Sequence, residues 1–127
     1  MAGTMNPEIK AQWVEALRSG EYEQTNGYLR TDSGFCCLGV LCDLAVKAGK
    51  VEATRRDYGT YQYGAEKAAL GLPSEVFEWA GLPDGNPGVD YPGAQSKKLD
   101  GFAALADLND VDELNFRQIA DLIDAQL

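Results

Sequence analysis

The stretch Gly34–Ala45, GFCCLGVLCDLA, limits what this chain can become more than any other. All three cysteines fall within seven residues, Cys36 to Cys42, among leucines and small residues. Read from Cys37 on to Gly49, the segment predicts a helix. Gly39, Asp43 and Lys47 recur every four residues and share one stripe, while the other positions are apolar. A helix with one narrow polar stripe is mostly buried. The other elements are therefore expected to pack around it.

The cysteines invite a chemical reading that their surroundings oppose. Adjacent Cys36 and Cys37 reach disulfide geometry only under strain. Three thiolates leave a zinc site one ligand short. The chain has no histidine, and Asp43 is a poor fourth ligand. The missing histidine also removes Ser-His-Asp and Cys-His pairs and the usual general base near neutral pH. A reactive thiol needs a neighbouring base or cation, and Arg30 is the nearest in sequence. Free cysteine otherwise behaves as a small buried hydrophobe, so these three read as core, with no catalytic residue, metal or cofactor expected.

The flanking sequence predicts an α+β fold of four to five helices packed around a small antiparallel sheet or hairpin. Its 127 residues, 45% hydrophobic, suit a single compact domain, 1–127. Asn6 can cap a helix that Pro7 starts and Gly20 ends, with Ile9, Trp13, Ala16 and Leu17 on one face. Leu29 to Cys37 reads as a hairpin about Thr31-Asp32-Ser33-Gly34. Residues 50–72 read as a short strand or a loop, and 72–82 as a short helix stopped by Gly81. Residues 83–98, with three prolines and three glycines, read as loop. Residues 100–110 and 115–127 read as two helices, the second with Asn115 as cap and Gln118 at the capping-box position. The expected core comprises Trp13, Leu17, Phe35, Leu38, Leu41, Leu44, Trp79, Leu105, Phe116, Ile119 and Ile123.

The net charge is −9 and uneven: residues 100–127 hold seven acids and one base. Such a chain gains nothing from counterion release on DNA, so no nucleic-acid partner is expected. The helix NFRQIADLI resembles the first helix of a helix-turn-helix, but no recognition helix follows it. DLNDVDEL fails as a calcium loop, because Val111 stands at position five, Asp112 at the glycine position and Gln118 at the terminal glutamate position. No apolar run is long enough to cross a bilayer, and the N-terminus lacks the regions of a secretion signal. No membrane partner is expected, and the thiols read as those of a cytoplasmic protein.

The blocks WVEALRSGEYEQTNGYLR, FCCLGVLCDLA, LPSEVFEWAGL and LADLND…NFRQIADLI, from about Trp13 to about Ile123, resemble a family of small, mostly uncharacterised bacteriophage proteins. The resemblance implies a phage accessory protein acting in the host bacterial cytoplasm. Proteins of that class often bind host components or capture nucleotide signals of host defence.

The segment with the clearest binding chemistry is Thr54–Tyr63, TRRDYGTYQY. It sets Arg55 and Arg56 beside Tyr58, Tyr61 and Tyr63. Guanidinium forks match phosphate geometry, and tyrosine faces stack on planar rings. Arg18 and Arg30 are candidate supporting cations, and Tyr22, Gln24 and Asn26 offer hydrogen-bonding groups. The competing reading is that the tyrosines pack across a strand while the arginines pair with the acidic C-terminal half. Three functions follow. The first is a non-catalytic protein that sequesters a nucleotide-like ligand without a cofactor, its pocket open to completion by a second copy in a homo-oligomer. The second is an acidic inhibitor of a host enzyme or DNA-binding protein. The third is a small thiol- or carboxylate-dependent enzyme.

Overall fold

A computed structural model describes residues 5–91 and 102–127. Helix α1 (Pro7–Ser19) starts where the sequence places it. The Asn6 side chain accepts from the backbone N–H groups of Glu8 and Ile9, and Gly20 ends the helix in the left-handed conformation. Its inward face carries Ile9, Trp13, Val14 and Leu17. Strands β1 (Arg30–Thr31) and β2 (Gly34–Phe35) form a tight antiparallel hairpin, with Arg30 opposite Phe35.

Helix α2 (Cys37–Lys47) follows and is the centre of the molecule: Cys37, Leu38, Val40, Leu41, Cys42 and Ala45 are fully buried. The Trp13 indole N–H donates to the Cys37 carbonyl at 3.0 Å, tying α1 to the start of α2. The polar stripe has a structural reason at its first position. Gly39 is buried, and a Cβ there would lie 1.7 Å from the Leu29 carbonyl oxygen. The chain entering β1 at Leu29 thus lies directly on the α2 backbone.

The segment expected to be a strand or loop is a second antiparallel hairpin, β3 (Ala53–Arg55) with β4 (Tyr61–Tyr63). A single bridge, Thr31 to Thr60, joins the two hairpins, and a parallel bridge sets Gln24 beside Phe35. The lateral order is therefore the Gln24 segment, β2, β1, β4 and β3, with β3 outermost. Helix α3 (Ser74–Ala80) buries Val76 and Ala80 and stops at Gly81.

The C-terminal third differs from expectation. Strand β5 (Gly88–Asp90) lies in the segment read as loop, and β6 (Phe102–Ala104) in the segment read as helix; the two pair antiparallel. The remainder of the expected loop, from 92, lies outside the described residues. Helix α4 is shortened to Leu105–Asp110, and α5 (Phe116–Gln126) carries the full Asn115–Gln118 capping box. Five helices and small antiparallel two-stranded sheets make an α+β fold. Helix α5 packs mainly on α1, and the buried residues form one contiguous cluster around α2. Of the expected core, Phe35, Leu44 and Trp79 are only partly buried and pack at its margin. Among the described residues no helix is long and apolar enough to cross a membrane.

Candidate functional site

The junction of the two hairpins gathers three of the seven candidate binding residues, Arg30, Arg55 and Tyr61. Arg30 on β1 projects between two rings, with its guanidinium carbon 4.7 Å from the Phe35 centroid and 4.1 Å from the Tyr61 centroid. Such a cation sandwich fixes a long side chain in one geometry. Arg55 on β3 reaches Asp32, in the turn of the first hairpin. The fork is bidentate, Nε to Oδ1 at 2.9 Å and Nη2 to Oδ2. The Tyr61 hydroxyl also donates to Asp32 Oδ1, at 3.3 Å. The Arg55 hydrogen bonds hold the Asp32 carboxyl below its usual range, and Asp32 in turn raises Arg55. Gly59 makes this approach feasible: it adopts φ 82°, and a Cβ there would meet Asp32 Oδ2 at 3.0 Å.

Layer by layer the arrangement continues to α2. Tyr22 meets Phe35 edge-on at 4.9 Å between centroids, and its hydroxyl donates to Asp43 Oδ2 at 2.5 Å. Lys47, one turn along α2, sits 3.3 Å from both Asp43 Oδ2 and the Tyr22 hydroxyl. Partial burial, then the Asp43 bond, raises the Tyr22 hydroxyl pKa. One polar–aromatic row thus runs Lys47–Asp43–Tyr22–Phe35–Arg30–Tyr61–Asp32–Arg55.

Tyr63 belongs to the core beneath this row. It is fully buried, its hydroxyl meets no group in hydrogen-bond geometry among the described residues, and burial raises its pKa against the opposing effect of Arg30. Tyr63, one of the binding candidates, thus offers no exposed surface at the hairpin junction. Arg56 and Tyr58 have the opposite fate. The turn that Arg56 and Thr60 close leaves both side chains in solvent, Tyr58 73% exposed, and Arg56 makes no ion pair among the described residues. Arg18 is held elsewhere, its Nη2 lying 2.6 Å from Asp121 and 3.9 Å from Asp124 on α5. The competing sequence reading is thus divided: Arg18 does pair with the acidic C-terminal half, whereas Arg55 pairs with Asp32.

Sequence reasoning missed Asp32 and Phe35 as members of the row. Asp32 stands twenty-three positions from Arg55, and only the tertiary bridge between hairpins brings them together. It also missed the role of Asn109, which is buried and knits three segments. Its Oδ1 accepts from Gln24 and from the Cys37 N–H, and its Nδ2 donates to the Thr25 carbonyl and to Asp110. Gln24, proposed as a ligand donor, is thereby committed to structure, since it also donates to the Leu114 carbonyl.

Beside the row, an open cleft of about 830 Å³ runs along β3 from the end of α2, lined by Val46, Lys50, Glu52, Thr54, Gly64 and Glu75. Its volume falls in the range of small-molecule sites. Glu75 accepts the Ala65 N–H at 2.9 Å, which lowers its pKa. The three cysteines lie away from any such opening. Burial raises Cys36 to about 11 and pushes Cys37 and Cys42 well above the ordinary thiol value. They are the protonated, unreactive state of the thiol at neutral pH.

Fold and site together define a small α+β domain with an arginine–tyrosine hairpin junction as its most concentrated surface chemistry. The chain belongs to the DUF8296 family, a domain of unknown function, whose family model matches residues 5–127. Comparison with curated proteins and with solved structures finds no match.

Proposed function

We propose that the chain is a non-catalytic binding protein that sequesters a small, planar, anionic ligand of nucleotide type at the tip of the β3–β4 hairpin. The observation that carries this reading is the division of labour among its arginines and tyrosines. Arg30, Tyr61, Asp32 and Arg55 lock one another in place, while Arg56 and Tyr58 are exposed at the adjoining turn, Arg56 without an ion pair among the described residues. A free guanidinium offers a fork to phosphate, and a free tyrosine face offers a stacking platform. The open cleft along β3 gives room for the rest of such a ligand. The likeness to phage accessory proteins supports a place in the host bacterial cytoplasm and a host anti-phage defence signal as the ligand.

Calorimetry against cyclic dinucleotides, ADP-ribose derivatives and common nucleotides tests the proposal. At least one should bind, and Arg56→Ala and Tyr58→Ala should each weaken it by about tenfold, the loss of roughly 1.4 kcal/mol expected for one stacking or fork contact. Absence of heat from every ligand, with folded protein, overturns it.

A specific observation favours a second reading, an acidic inhibitor of a basic host protein. The Asp121 and Asp124 side chains on α5 are 71% and 61% exposed, with Arg18 reaching both. Asp121→Asn with Asp124→Asn should then weaken a salt-sensitive pull-down of the host protein. Unchanged capture sinks that reading. The thiol-dependent enzyme reading has no support in the burial of all three cysteines.

A further inference from the structure

The outer edge of β3 is unpaired among the described residues. In the β3–β4 ladder, Gly64 donates to the Glu52 carbonyl at 3.0 Å and Arg56 donates to the Thr60 carbonyl at 2.7 Å, flanking the pairs Ala53–Tyr63, Thr54–Gln62 and Arg55–Tyr61. Antiparallel ladders alternate, so the backbone groups of 52, 54 and 56 turn inward to β4. Those of Ala53 and Arg55 turn outward. No strand among the described residues pairs with that side, and Ala53, Thr54 and Arg55 are all exposed. An open edge of this kind is a template for another strand.

We infer that two copies of this chain pair antiparallel along β3, about a two-fold axis at Thr54. The register follows from the edge itself. Only residues with outward backbone groups can form hydrogen-bonded pairs, which restricts the choice to Ala53 opposite Ala53, Arg55 opposite Arg55, or Ala53 opposite Arg55. Pairing Arg55 with Arg55 sets like charges face to face. Pairing Ala53 with Ala53 sets Lys50 against Arg56, again like charges. Pairing Ala53 with Arg55 completes two hydrogen-bonded pairs, hence four backbone hydrogen bonds. It places Thr54 against Thr54 and Glu52 against Arg56, twice by symmetry.

The side chains agree with this register. Glu52, Thr54 and Arg56 share one face of the strand by the two-residue period. They fall at non-hydrogen-bonded positions, where facing side chains come closest. Neither Glu52 nor Arg56 has an ion-pair partner among the described residues. Arg55, whose charge would crowd the seam, is drawn aside to Asp32. An arginine has five N–H donors, so pairing with Glu52 leaves Arg56 donors to spare. The inference does not rest on the ligand reading, and holds whatever binds at the hairpin tip.

Sedimentation equilibrium across a concentration series should show a reversible dimer in the micromolar range. Glu52→Arg should weaken it by about tenfold or more, and the swap Glu52→Arg with Arg56→Glu should return it to near the native value. Thr54→Cys reads the register directly. Under oxygen with a copper catalyst, two facing thiols lose two electrons and two protons to oxygen and form one intermolecular disulfide, while the buried native cysteines stay out of reach. Glu78→Cys, at an exposed position of α3, should remain uncrosslinked. A native protein that stays monomeric at millimolar concentration overturns the inference. So does a dimer indifferent to Glu52→Arg, or a Thr54→Cys protein that fails to crosslink more than Glu78→Cys.

Discussion

Two buried positions make opposite demands on a substitution. At Gly39 the Leu29 carbonyl occupies the space of a side chain, and an added Cβ would lie only 1.7 Å from its oxygen. The obstacle is backbone and cannot rotate away, so Gly39→Ala must push the first hairpin off α2. Overpacking of this kind costs about 1–3 kcal/mol or more, read as a fall in the urea midpoint. At Tyr63 the protein carries a group it does not use. The ring fills the core, and Arg30 lies near enough to act against the rise that burial imposes on the hydroxyl pKa, but among the described residues no group meets hydrogen-bond geometry with it. A buried hydroxyl without a partner is a desolvation cost of roughly 1–3 kcal/mol. Tyr63→Phe should therefore be neutral or stabilising, and a loss of more than about 1 kcal/mol in the same titration would show that the hydroxyl has a partner. Asn109 is the contrasting polar group, satisfied at both ends. Asn109→Ala strands the Cys37 N–H and the Thr25 carbonyl, and should cost several kcal/mol at about 1–3 per stranded group.

At the scale of the element, α2 couples stability to alkaline pH. Burial raises the thiol of Cys36 to about 11 and pushes those of Cys37 and Cys42 well above the ordinary thiol value. In the unfolded chain a thiol titrates near 8.5. A raised folded pKa means that this contribution is fully present below the unfolded value and is lost as pH rises toward the folded one. Between about pH 9 and 11 the urea midpoint should fall, each thiol contributing up to about 1.4 kcal/mol per pH unit. Cys42→Ala should flatten the slope, and an unchanged midpoint across that window would contradict the burial of these groups. The same helix shows what sequence can reveal. Its apolar period, the Asn6 cap of α1 and the Asn115–Gln118 box of α5 are local patterns, and the structure follows them. The pairing of Gly88–Asp90 with Phe102–Ala104 is not local, and Gly and Pro around Val89 mask a strand of three residues. The candidate site divides in the same way. The arginines and tyrosines were visible as a cluster in the chain, whereas the Asp32 clamp and the burial of Tyr63 depend on how one hairpin lies against another.

The whole molecule carries twenty acids against eleven bases. Its described ion pairs do little to offset that excess. Arg18–Asp121, Arg18–Asp124 and Arg55–Asp32 join exposed groups, and Lys47–Asp43 has its ammonium in solvent. Exposed pairs contribute about 0–1 kcal/mol each, and salt weakens them. Self-repulsion at net charge −9 acts over longer distances, and salt weakens it as well, the screening length shrinking to about 8 Å at physiological ionic strength. The two effects have opposite signs, and the charge imbalance decides between them: nine acids have no base to match. The melting temperature should therefore rise as sodium chloride is increased from about 0.01 M to 0.15 M, where the screening length falls from roughly 30 Å to 8 Å. Arg18→Ala, which removes one cation from an acidic face, should lower stability by no more than about 1 kcal/mol and steepen that rise. A melting temperature that falls with salt would mean that the ion pairs, rather than the net charge, dominate the electrostatics of the fold.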